Sequence, residues 1–132
     1  MIVDSSAIMA ILMDEPEAEQ MVRELSGAVD SRMSSGNWVE LAAVMTRRKR
    51  PDLFDPLALV MALFRIAVAP ITPSEAMIGH QAYRKFGHGT GHPAKLNFGD
   101  CFAYALAFSS GEPLLFKGED FIHTDVKQAI PR

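Results

Sequence analysis

Four short apolar runs, separated by longer stretches with helical spacing, constrain this chain more than any other feature. Ile2-Val3, Ala28 to Met33, Val68 to Thr72 and Pro113 to Phe116 are each too short for a helix and read as buried strands. Between them lie helical patterns. One holds Ala7, Ile8, Ile11 and Leu12, with Ser5 or Ser6 as its N-cap. A second opens at Asp14-Glu15-Pro16, carries Ala18, Met21, Val22 and Leu25 on one face, and ends at Gly27. A third follows Asn37 through WVELAAVMTRRK, and Pro51 breaks it. The pattern resumes from Leu53 to Ala67, again from Pro73 to about Phe86, and last from Asn97 to Gly111. Strands alternating with helices predict a parallel sheet covered on both faces, an α/β fold.

A sheet of that kind binds ligands beyond the carboxyl ends of its strands, and acids stand where those ends fall. Asp4 terminates the first strand. Glu40 lies three residues past Asn37, Asp100 three residues past Asn97, and Asp120 follows the fourth strand. Singly, Glu40 suits a capping box and Asp100 suits a helix dipole. Together they conflict, because two carboxylates roughly 5 Å apart at an effective dielectric near 20 repel by about 3 kcal/mol. A divalent cation relieves that repulsion, and an all-oxygen ligand set suits Mg²⁺ or Mn²⁺. With a single cysteine, Cys101, and no His-Cys cluster, zinc is disfavoured.

The bulk numbers narrow the partners. With 132 residues, 48% of them hydrophobic, one domain spanning 1–132 with one core is expected. A net charge of -3 gives no overall attraction to nucleic acid, so any RNA contact needs a local patch or a bound cation. Arg47, Arg48, Lys49 and Arg50 form the densest basic run. It is either a solvated helix end or a phosphate-contacting rim. Gly87 to Lys95 lacks a P-loop ending and reads as a mobile flap with solvent- or RNA-facing histidines. The lone cysteine and an acid at position 4 predict a reducing, cytoplasmic setting without a signal segment.

MIVDSSAIMAIL, NWVELAAVM, LNFGDCFAYALA and PLLFKGEDF, in that order, resemble the PIN-domain ribonucleases, in particular the VapC toxins of bacterial type II toxin-antitoxin systems. The resemblance runs from residue 1 to about 126. It implies a three-layer α/β/α sandwich around a parallel sheet. It also implies a Mg²⁺- or Mn²⁺-dependent endoribonuclease acting on tRNA or rRNA. Asp4, Glu40 and Asp100 match the metal-site acids, and Ser5 matches the hydroxyl residue that supports them. The fourth corner departs from the pattern. Where many members read Thr-x-Asp-x-x-Phe, this chain has Phe116 in the threonine's place and Gly118 in the acid's, leaving Asp120 (preferred) or Glu119 to substitute. A homodimer and a VapB-type antitoxin, whose complex with the toxin binds operator DNA, are further implications. A PIN-fold module that grips RNA or protein without cleaving is the alternative. A phosphatase is disfavoured, because position 6 is serine and no DxD pair follows the first strand.

Overall fold

The computed structural model describes all 132 residues. Its sheet has four parallel strands, β1 (Ile2–Val3), β2 (Ser31–Ser34), β3 (Ile66–Ala69) and β4 (Leu114–Leu115), in the order β3-β2-β1-β4. Six helices connect them: α1 (Ser5–Leu12), α2 (Ala18–Gly27), α3 (Ser35–Arg47), α4 (Phe54–Leu63), α5 (Pro73–Phe86) and α6 (Asp100–Ser110). Strand alternation sends Val3, Met33, Leu115 and Ile66 into a core shared with α1, α2, α3 and α4. Ile2, Leu114 and Phe116 point the other way, into a second core shared with α5 and α6. That is the expected three-layer α/β/α arrangement. Beyond β4, the Leu114 N–H donates to the Lys127 carbonyl at 2.8 Å and the Ala129 N–H to the Leu114 carbonyl at 2.9 Å, covering an otherwise open sheet edge.

Several boundaries differ from the sequence reading, each for a local reason. Asp4, rather than Ser5 or Ser6, caps α1, its carboxylate accepting from the Ser6 N–H. Ser34, rather than Asn37, caps α3, which places Glu40 in the second helical turn and ends the capping-box reading of that acid. The helix expected over 53–67 is a 3₁₀ turn (Pro51–Leu53) followed by α4, which stops at Leu63. Arg65 then takes a left-handed φ of 51°, and β3 begins at Ile66, where Ser31 pairs with it, rather than at Val68. Asn97 lies outside α6 and caps it reciprocally. Its side-chain oxygen accepts from the Asp100 N–H, while the Asp100 carboxylate accepts from the Asn97 N–H, both at 2.9 Å.

The glycine-rich segment 87–95 is not a free flap. Ala94 and Leu96 are buried, His88 N–H donates to the Leu96 carbonyl, and Leu96 N–H donates to that of Phe86. His92 Nδ1 accepts from the Ala94 N–H, and its ring sits edge-on to Phe86. The loop is thus stapled to α5 and packs under the second core, and neither His88 nor His92 lines the acidic cleft described below.

Candidate active site

The strand order reverses direction around β1: the chain leaves β1 for β2 on one side and returns to β4 on the other. In open α/β sheets that reversal leaves a crevice at the carboxyl ends of the strands. Asp4 sits there, held by its backbone N–H donating to the Leu115 carbonyl of β4 at 2.9 Å. The crevice is a cleft of about 380 Å³ lined by Asp4, Ser5, Glu40, Asp100 and Asp120, with Ser6, Asn97, Arg47, Arg48 and Lys117 on its walls.

Each acid is held differently. Asp4 is 2% exposed; one carboxylate oxygen accepts from the N–H and hydroxyl of Ser6, and the other has no hydrogen-bond partner. Ser6 is itself tied across the cleft by accepting from the Lys117 N–H at 3.0 Å. Glu40 Oε1 accepts from the Ser5 hydroxyl and from Asn37 Nδ2. Asn37 is fully buried and also donates to the Gly99 carbonyl at 3.0 Å, so it joins α3 to the start of α6. The sequence pattern suggests a helix cap at Asn37, whereas in the fold Asn37 positions Glu40. Its signal was an amide three residues before a suspected site acid.

Burial and mutual repulsion dominate the electrostatics. Desolvation, then the charge of Glu40 opposing hydrogen bonds from Ser6, raises the Asp4 pKa to about 6. Desolvation, reinforced by the neighbouring charges of Asp4, Asp120 and Glu40, raises Asp100 to about 7. Asp4 and Asp100 therefore feel the charges of their acidic neighbours. As the side chains stand, no three His, Cys, Asp or Glu groups are gathered as a ready ligand set. A hard divalent cation nevertheless fits the donor chemistry: the donors are all carboxylate oxygens, and the buried, unpartnered oxygen of Asp4 is the kind of group that a cation would satisfy.

The remaining sequence candidates divide. Asp120 lines the cleft and Glu119 does not. Arg47 and Arg48 line it at the end of α3; Lys49 and Arg50 do not. Arg50 instead pairs with Asp52 at 2.9 Å, and Lys49 occupies a left-handed turn with φ of 54° that ends the helix. Only half of the basic run faces the acids. Lys117, not singled out from the sequence, also lines the cleft and pairs with Glu15 and Glu17.

Gly99 gives a specific test of Glu40. A Cβ at Gly99 would lie 1.5 Å from Glu40 Oε2, while the φ of -64° suits any residue. Because the clashing atom ends a flexible side chain, Gly99→Ala is expected to displace Glu40 with little loss of stability. Thermal denaturation should shift only slightly, while any activity that depends on Glu40 should fall roughly 10- to 100-fold, the scale set by ångström-level misplacement of a reacting group.

Residues 1–127 match the family model of the PIN domain. The chain belongs to the PIN domain family. Among relatives, Ribonuclease VapC42 of Mycobacterium tuberculosis is 46% identical over 129 residues, 98% of each chain. Ribonuclease VapC28 of the same organism is 43% identical over 132 residues, covering 100% of this chain and 99% of the relative. In structure, the chain is similar to M. tuberculosis VapC20, described as a sarcin-ricin loop cleaving toxin, with a TM-score of 0.77 at 15% identity over 98% of both chains. It is also similar to a chain of a toxin-antitoxin complex from Klebsiella pneumoniae, with a TM-score of 0.64 at 16% identity over 91% of this chain and 88% of that one. At such low identity these two structures speak for the PIN fold alone.

Proposed function

We propose that this PIN-domain protein is a VapC-type toxin, an endoribonuclease that hydrolyses RNA phosphodiester bonds at the cleft holding Asp4, Glu40, Asp100 and Asp120. The observation that carries the reading is that the four acids line one cleft at the β1-β4 crevice, with one buried Asp4 oxygen left unpartnered. The whole-length likeness to proteins named VapC ribonucleases supports it.

Asp4, Asp100, Glu40 and Asp120 would hold Mg²⁺ or Mn²⁺. When bound, the cation supplies Lewis-acid polarisation of the phosphate and a more acidic attacking water. The chain's own groups do the rest. Ser5 and Asn37 fix the rotamer of Glu40, and Asn97 fixes Asp100 against the helix start. Arg47 and Arg48 bring positive charge to the cleft wall, where a phosphate backbone enters a surface that is otherwise net negative. The substrate class is RNA, with tRNA or rRNA as the favoured targets.

The reading extends to a VapB-type antitoxin that neutralises the enzyme, and to a homodimer whose antitoxin complex binds operator DNA. The outward Leu59 and Leu63 of α4 are exposed apolar residues consistent with a protein partner. No helix is long and apolar enough to cross a membrane.

Incubation of the purified protein with total cellular RNA tests the reading. Discrete fragments in Mg²⁺ or Mn²⁺, absent in EDTA, are the expected result. Intact RNA under every condition, from protein shown to be folded, would favour a non-cleaving binder.

A further inference from the structure

The catalytic cleft continues sideways into an aromatic surface that the four acids do not explain. Glu40, Arg47 and Asn97 line both the cleft and a neighbouring pocket, which also includes Phe98, Gly99 and Phe102. Phe98 and Phe102 in turn wall a more apolar pocket against α5, beside Ile71 and Tyr83. Phe98 therefore stands at the junction, one residue from the Asn97 that caps Asp100.

Its setting is unusual for a phenylalanine. Phe98 is 75% exposed, so folding draws little from it. Yet the ring is not loose. It packs edge-to-face on Phe102 with centroids 5.0 Å apart and planes at 79°. Phe102 is seated in turn on Gly36 of α3, where an added Cβ would fall 2.4 Å from a ring carbon. Gly36 thus admits Phe102 against α3, Phe102 orients Phe98, and Phe98 offers an oriented aromatic ring to solvent beside the acids and Arg47.

We propose that Phe98 is a base-stacking, specificity-determining residue, receiving the unpaired nucleobase next to the scissile phosphate of single-stranded RNA. The inference rests on the ribonuclease reading of the cleft and names how that site selects its substrate. Single-stranded RNA is recognised by stacking splayed bases on aromatic rings while basic groups track the backbone. Here both components lie in one pocket, with Arg47 for phosphate and Phe98 for the base. A protein partner covering the same ring is the competing occupant. The shared lining with the acidic cleft and the adjacent arginine favour RNA over a protein face.

The test is steady-state cleavage of an oligoribonucleotide spanning a site cut by the wild type, together with sequencing of fragment ends from total RNA. Wild type, Phe98→Ala, Phe98→Leu and Phe98→Trp are compared, and each is also examined by sedimentation. Stacking predicts that Phe98→Ala raises KM roughly 5- to 100-fold with kcat little changed, since the contact is made equally in ground and transition states. Phe98→Leu should not rescue, Phe98→Trp should, and the base preference beside the cut should relax in Phe98→Ala. If Phe98→Ala keeps the KM and cut-site profile of the wild type, or Phe98→Leu matches it, the proposal is overturned while the ribonuclease reading stands. A change in association state that accounts for the lost activity overturns it in favour of a protein interface. Failure of the wild type itself to cleave would sink the ribonuclease reading, and this inference with it.

Discussion

Asp100→Asn is expected to abolish RNA cleavage and to make the protein more stable at once. Asp100 is 8% exposed, and desolvation together with the Asp4, Asp120 and Glu40 charges lifts its pKa to about 7. Its charged form is therefore a liability to the fold. The amide keeps the shape and still accepts the Asn97 N–H that caps α6. Removing the charge should raise stability at pH 8 by about 1–3 kcal/mol, since each pKa unit corresponds to about 1.4 kcal/mol. The midpoint of thermal unfolding would rise by several degrees. Cleavage should fall at least about 10²-fold, the effect of deleting one preorganised charged or polar group from a reacting site. Paired melting curves and cleavage rates check both halves. A variant that loses activity and also stability would mean that Asp100 is chiefly a structural cap.

The pH dependence of stability should run opposite to that of an ordinary salt-bridged acid. Asp4 and Asp100 both bind protons more tightly in the fold than in the unfolded chain, where their pKa is near 3.8. Between pH 4 and 7 the unfolded chain has already released these protons while the folded protein retains them, so stability falls as pH rises. Below pH 4 both states are protonated, and above about 7 both are ionised, so the contribution of this pair flattens at each end. Divalent cations should reverse the trend, because ligation needs the ionised acids. Mn²⁺ at 100 times its dissociation constant is expected to raise stability by about 2.7 kcal/mol, more readily at pH 8 than at pH 5.5. Thermal melts across pH, with and without Mn²⁺, measure this directly. A melting temperature indifferent to Mn²⁺ at pH 8 would count strongly against a cation at these acids.

The sequence exposed the architecture because the signals for it are local. β-branched or apolar pairs such as Ile2-Val3, followed by a polar cap and a helical period, identify strand-helix units wherever both faces of a sheet are buried. Asp4, Glu40, Asp100 and Asp120 stand out as candidates because acids at a strand end or beside an apolar helix start are costly without a task. Boundaries were less legible where tertiary pairing overrides propensity. Leu53 to Ala67 reads as one helix, but the left-handed Arg65 and the pairing of Ile66 with Ser31 turn its last residues into a strand. The contribution of Asn37 was hidden for a related reason. An amide just after a strand looks like a cap until the structure shows Ser34 in that place and Asn37 bridging Glu40 to Gly99. The basic run shows the limit of composition. Four consecutive cations look equivalent, but helix phase and the turn at Lys49 send only Arg47 and Arg48 toward the acids.

The measurement that bears most directly on the central claim compares wild type and Asp4→Asn on the same RNA, with Mg²⁺ or Mn²⁺ and with EDTA. Asp4 caps α1, ends β1 and carries the unpartnered buried oxygen, and asparagine can preserve the cap while removing the charge. The account predicts discrete, cation-dependent fragments from the wild type, and intact RNA both in EDTA and with a folded Asp4→Asn protein. Cleavage by Asp4→Asn at the wild-type rate would contradict it, because the chemistry would then lie outside the acidic cleft.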